Sequence, residues 1–104
     1  AKAAGLSVIG GTLSPSGGYA VPGYNDATAE AKRQAINAWI RDSGAYDIVI
    51  DFDAALADPE NPATMNGALT ADGLHPNAAG YQVMADTAFA AIGGLLPAKQ
   101  YEGN

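Results

Sequence analysis

Along the 104-residue chain, two short apolar runs are separated by longer stretches whose apolar residues recur at helical spacing. Leu6-Ser7-Val8-Ile9-Gly10 reads as a short buried strand, followed by a loop from Gly11 to Tyr24 rich in Gly, Ser and Pro that is expected to border a site. With Asn25 or Asp26 as N-cap, a helix is predicted to run to about Ser43 and to end at Gly44. Glu30 in its first turn suits the helix dipole. Ala35, Ile36, Trp39 and Ile40 form its apolar stripe, so core packing is the expectation for Trp39. Tyr46 to Phe52, with Ile48, Val49 and Ile50 consecutive, has the continuous apolar character of a strand in a parallel sheet covered on both faces. Strand, helix and strand make one right-handed crossover unit.

Asp53 to Ala71 is a polar connection in which Asp58-Pro59 and Asn61-Pro62 interrupt regular structure, and long connections of this kind are often functional. Asn77 then caps a helix to about Ile92, whose Tyr81, Met84, Ala85, Ala88, Phe89 and Ile92 fall at spacings that place them on one face. At the ends, Ala1 to Gly5 reads as the last turn of a helix closed by a glycine, and the polar tail from Pro97 is expected to fray. With no repeat, linker or low-complexity run, the pattern predicts one layered α/β unit.

Composition narrows the partners. Apolar residues make up 48% of the chain and charged residues 15%, a globular balance. The net charge of −6, with only five Lys and Arg, argues against nucleic acid and anionic membrane surfaces, both of which require clustered basic residues. A neutral or small-molecule partner fits better. The absence of cysteine excludes disulfides, cysteine nucleophiles and thiolate metal sites, and leaves the compartment open. No apolar run approaches the roughly 18 residues of a membrane span, and no stretch has the pattern of a signal peptide.

The candidate chemistry centres on His75, the one histidine in the chain, three residues after Asp72 and directly before a helix start. Asp72 is near enough in sequence to accept a hydrogen bond from Nδ1. That bond would fix the tautomer and leave Nε2 as a base. On local spacing alone, the competing reading is an exposed loop histidine beside a turn-forming aspartate.

The residues around the pair carry a resemblance. Asp72-Gly73-Leu74-His75-Pro76-Asn77-Ala78-Ala79-Gly80-Tyr81 resembles the last sequence block of the SGNH hydrolases, also called GDSL esterases and lipases. Val8 to Pro15, and Lys32 to Arg41 followed by Asp47 to Asp53, resemble the same family in order and spacing. The resemblance implies part of a three-layer α/β/α sandwich with a parallel sheet, the flavodoxin-like SGNH hydrolase fold. It implies hydrolysis of a carboxylic ester through an acyl-serine, with His75 taking the serine proton and Asp72 orienting His75. The substrate class implied is a small-molecule ester, with no cofactor. Secretion or a periplasmic location is compatible with the family.

The departures from the family are equally specific. Its nucleophilic serine lies in a Gly-Asp-Ser block, and its oxyanion donors include a Gly and an Asn from two later blocks, all upstream of what corresponds to Ala1. The chain is therefore read as the C-terminal part of one such domain. Its expected partner is the N-terminal half or a second copy of this chain, because two parallel strands and two helices leave a sheet edge unpaired. Gly23-Tyr24-Asn25-Asp26 has the look of the family's Gly-x-Asn-Asp block but stands in the wrong order, so a loop and helix cap is the expectation. Ser14 and Ser16 lie in a turn without the Gly-x-Ser-x-Gly elbow, so no substitute nucleophile is expected among them; Ser14, at the end of a parallel strand, comes nearest to one. Asp51-Phe52-Asp53 is similar to the Asp-x-Asp of magnesium-dependent phosphoryl transfer, against which strand-end capping and loop solvation is the expected role. With one histidine and no cysteine, no metal site is expected. A contrasting reading is a non-catalytic binding or assembly module that keeps the fold.

Overall fold

A computed structural model of the protein describes residues 4–95. Two strands, β1 (Ile9–Gly11) and β2 (Ile48–Ile50), pair in parallel with Ile9 opposite Ile48, Gly10 opposite Val49 and Gly11 opposite Ile50. Helix α1 (Ala27–Asp42) makes the crossover between them. Asp26 caps α1, its carboxylate accepting from the Ala29 amide at 2.7 Å. After β2 the chain turns at once into a short helix, α2 (Phe52–Leu56), and then an antiparallel hairpin, β3 (Ala57–Asp58) and β4 (Asn61–Met65). Helix α3 (Ala78–Ile92) follows, capped by Asn77 and packed on α2 and β2.

Several expectations are corrected. The first strand is displaced towards Gly11 and is half open, with Ile9 42% exposed and only Gly10 covered. Gly10 is required there because a Cβ would fall inside the Tyr46 ring. The second strand stops at Ile50, because Asp51 N-caps α2 and Phe52 belongs to that helix. The connection from Asp53 to Ala71 is not a plain loop: it carries the rest of α2 and the hairpin, whose Pro59-Glu60 turn is closed by the Glu60 amide donating to Asp58 at 2.9 Å. The predicted helix end at Ala1 to Ala3 and the fraying tail from Pro97 lie outside the described residues.

The largest correction concerns α1. Its buried residues are Arg33, Asn37 and Ile40, spaced i, i+4 and i+7, whereas Ile36 and Trp39 are 46% and 55% exposed and Ala35 also faces outward. Trp39 packs edge-to-face on Tyr46 at the surface, not in a core. A polar stripe turns inward because the ends of the parallel strands present groups that apolar side chains cannot satisfy. Asn37, fully buried, accepts from the Leu13 amide at 2.7 Å and donates to the Leu13 carbonyl at 2.9 Å, as a neighbouring strand would. Arg33 and Arg41 reach Asp53, and Arg41 also takes Asp51 in a bidentate pair with both contacts at 2.9 Å.

In α3 the face given by Tyr81, Ala85 and Phe89 is exposed, while Val83, Met84, Thr87, Ala88, Ala91 and Ile92 are half-buried. The apolar core is small: Ile40, Ile50, Leu56 and Met65 are its buried members. Among the described residues no helix is long and apolar enough to cross a membrane.

Candidate active site

The loop between β4 and α3 is built by short-range hydrogen bonds that its own sequence supplies. Thr70 and Pro76 form an antiparallel bridge across its base. Asp72 Oδ1 accepts from the backbone amides of Leu74 and His75, both at 2.8 Å, the closed turn that aspartate favours. Its other oxygen, Oδ2, lies 2.7 Å from Nδ1 of His75. The Thr70 hydroxyl donates to the His75 carbonyl at 2.7 Å and accepts from the Gly73 amide at 3.0 Å. Asn77 then starts α3, its side chain accepting from the Gly80 amide at 2.9 Å and donating to the Ala68 carbonyl at 3.1 Å.

Gly73 holds two constraints at once. Its φ of +88° is in the left-handed region that side chains disfavour, and a Cβ would overlap the backbone of Gly18 and Tyr19. The loop therefore lies directly on the segment that follows β1. That segment is fixed in turn by the Gly17 amide donating to the Ala63 carbonyl at 2.8 Å. Tyr19 stands edge-to-face to the His75 imidazole, with ring centroids 6.1 Å apart.

Because a carboxylate can only accept, Nδ1 of His75 is the protonated nitrogen in this arrangement, and in the neutral imidazole the lone pair is on Nε2. The Asp72 carboxyl is held well below the usual carboxylate range, chiefly by the hydrogen bond from the His75 ring and then by the amides of His75 and Leu74. Asp72 is thus ionised at neutral pH. The His75 side chain is 66% exposed, so Nε2 is accessible from outside the fold.

The other sequence candidates are placed elsewhere. Ser16 donates to the Tyr24 carbonyl at 2.9 Å, and Ser14 lines a cavity beside Leu74. Among the described residues no serine is hydrogen-bonded to His75. Gly23 to Asp26 is the loop and helix cap that its order in the chain suggests, with Gly23 at φ +95°.

Asp51 keeps the expected capping role at the strand end, whereas Asp53 departs from the expected loop solvation. Asp51 caps α2, and Asp53 is buried against two guanidinium groups. The Arg41 pair draws the Asp51 carboxyl below its ordinary range, ahead of the opposing effect of burial. With their oxygens committed to arginine and to the Thr12 hydroxyl, these carboxylates are poorly suited to a magnesium ion. No group of three or more candidate metal ligands occurs among the described residues. Thr70 and Tyr19 escape a reading for catalytic types. A hydroxyl two residues before Asp72 was the one available signal for Thr70, whereas Tyr19 is distant in sequence.

A family model for the GDSL-like lipase/acylhydrolase family matches residues 1–83. The chain belongs to that family. A crystal structure from Bacteroides fragilis, of a protein carrying the provisional assignment of acylhydrolase, superposes with a TM-score of 0.67 at 27% identity and covers 92% of this chain. It shares the α/β architecture with a parallel sheet, so the elements described above are part of an SGNH-type α/β/α fold. The GDSL-like chain spans about half of that protein, 46% of its length. No curated protein matches the chain.

Proposed function

We propose that this GDSL-like chain supplies the acid-base half of a carboxylic ester hydrolase. The observation that carries the reading is the 2.7 Å contact between Asp72 Oδ2 and His75 Nδ1, with the opposite ring nitrogen directed away from its carboxylate partner on an exposed imidazole. In the proposed cycle Nε2 accepts the proton of a serine hydroxyl as that oxygen attacks the ester carbonyl. The imidazolium, stabilised by ionised Asp72, then gives the proton to the departing alcohol. Water repeats the sequence on the acyl-serine. The serine and the oxyanion donors come from an N-terminal segment of the same hydrolase domain, of which residues 1–104 form the C-terminal part.

The test is reconstitution. The 104-residue chain should not turn over p-nitrophenyl acetate, and addition of the N-terminal half should restore turnover. Restoration should fail with His75→Ala and survive Ser14→Ala. Turnover by this chain alone, or restoration that is indifferent to His75, would sink the proposal. A second reading, a non-catalytic assembly module, draws on the exposed Leu6, Trp39, Tyr81 and Phe89. It requires stable self-association together with no restored turnover.

A further inference from the structure

Apolar side chains from three separate segments meet around one open cavity of about 430 Å³: Leu13 and Tyr24 from the loop after β1, Ala29 and Ile36 from α1, and Leu74 from the catalytic loop. That volume is in the range of small-molecule sites. Leu13, Tyr24 and Ile36 are 44%, 46% and 46% exposed. Isolated exposed apolar residues are ordinary, but several converging on one concavity mark a place where an apolar group is taken out of water.

The cavity is joined to the dyad in two ways. Leu74 immediately precedes His75 in the chain, and the Tyr24 ring packs edge-to-face on Tyr19 at 5.1 Å, which itself packs on the His75 ring. Four polar residues border the cavity, Ser14, Ser16, Lys32 and Arg33, and two of them are engaged elsewhere. Arg33 is held by Glu30 and Asp53, and the Ser16 hydroxyl is held by the Tyr24 carbonyl.

We infer that this cavity binds a linear alkyl chain of the ester substrate, with Leu74 holding the chain while His75, the next residue, faces the reacting group. The inference rests on the hydrolase reading above and names its substrate class. The shared chemistry is an unbranched alkyl group, whether on the acyl or the alcohol side.

Binding is read first, by titrating octanoate, octanol and acetate into the isotopically labelled 104-residue chain and following its amide resonances. Octanoate and octanol are expected to move Leu13, Ile36 and Leu74, and acetate to leave them in place. Ala29→Trp, which fills the cavity, and Ile36→Asn, which makes its wall polar at an exposed position, should each weaken octanol binding about tenfold or more. Equal shifts with acetate, shifts centred on Trp39 and Phe89, or binding indifferent to both variants would overturn the inference. In the reconstituted enzyme, Ala29→Trp should lower turnover of p-nitrophenyl octanoate, of octyl acetate, or of both, and so report which side of the ester uses the cavity. p-Nitrophenyl acetate should be spared. If octanol seats in the cavity but turnover ignores His75, the hydrolase reading fails alone; if turnover needs His75 and octanol binds elsewhere, the cavity assignment fails alone.

Discussion

Arg33→Met is the substitution that most directly tests how α1 is held. The Arg33 side chain is 6% exposed, and that of its partner Asp53 is 10% exposed. Methionine keeps most of the aliphatic stem, so the change removes charge and donors without opening a large cavity. Asp53 loses one of its two guanidinium partners, and the Leu13 and Pro62 carbonyls each lose a donor. Breaking a buried pair from one side costs about 3–5 kcal/mol. The remaining Arg41 contact to Asp53 at 2.9 Å and the Asn37 contact to Leu13 at 2.9 Å offset part of this, which places the expected loss near 3 kcal/mol. In a chain of this size that is a drop in melting temperature of about 12 °C or more.

The internal control is Arg41→Met. Arg41 is 32% exposed and its pairs are partly screened by water, so about 1 kcal/mol is expected. Thermal melts followed by circular dichroism at one fixed protein concentration make the comparison, since association would make the midpoint concentration-dependent. The double variant Arg33→Met, Asp53→Leu should recover much of the loss, because no buried carboxylate is left without its partner. A loss below about 1 kcal/mol for Arg33→Met, or one no larger than that of Arg41→Met, would refute the view that buried ion pairing orients α1.

In the reconstituted enzyme, Asp72→Asn should lower turnover of p-nitrophenyl acetate by about four orders of magnitude with little change in KM, because an amide no longer holds the imidazole with Nδ1 protonated. Gly73→Ala should destabilise the loop by more than the roughly 1–2 kcal/mol of a left-handed alanine, because the added methyl also meets Gly18; a melt within 1 °C of wild type would contradict this. Glu30 and Asp51 have carboxyl groups drawn below their ordinary values, Glu30 chiefly by Arg33 and Asp51 chiefly by Arg41. The unfolded chain therefore binds more protons than the native one as pH falls through about 4. Stability present above that pH should be lost below it, and Glu30→Gln with Asp51→Asn should flatten the dependence. Sedimentation of the 104-residue chain at micromolar concentration should show association or capture of the N-terminal half; a cooperatively folding monomer would count against the exposed Trp39 and Phe89 as covered surfaces.

What the amino-acid sequence determined by itself is local. Asp72 and His75 stand three residues apart in one loop, and aspartate closes that turn with its own backbone, so their pairing needed little from the rest of the molecule. The caps at Asp26 and Asn77 and the parallel pairing of β1 with β2 were legible for the same reason: short-range hydrogen bonding and apolar runs encode them. Which face of α1 turns inward was not legible, because it depends on partners 10 to 29 positions away. Asp51 and Asp53 require arginines, and the strand end at Leu13 requires the Asn37 amide, so a polar stripe displaces Ile36 and Trp39 to the surface. The same tertiary contacts decided what surrounds the dyad. Gly18 against Gly73, Tyr19 against His75, and the cavity from Leu13 to Leu74 bring together segments more than 50 residues apart in sequence, a proximity that no local pattern specifies.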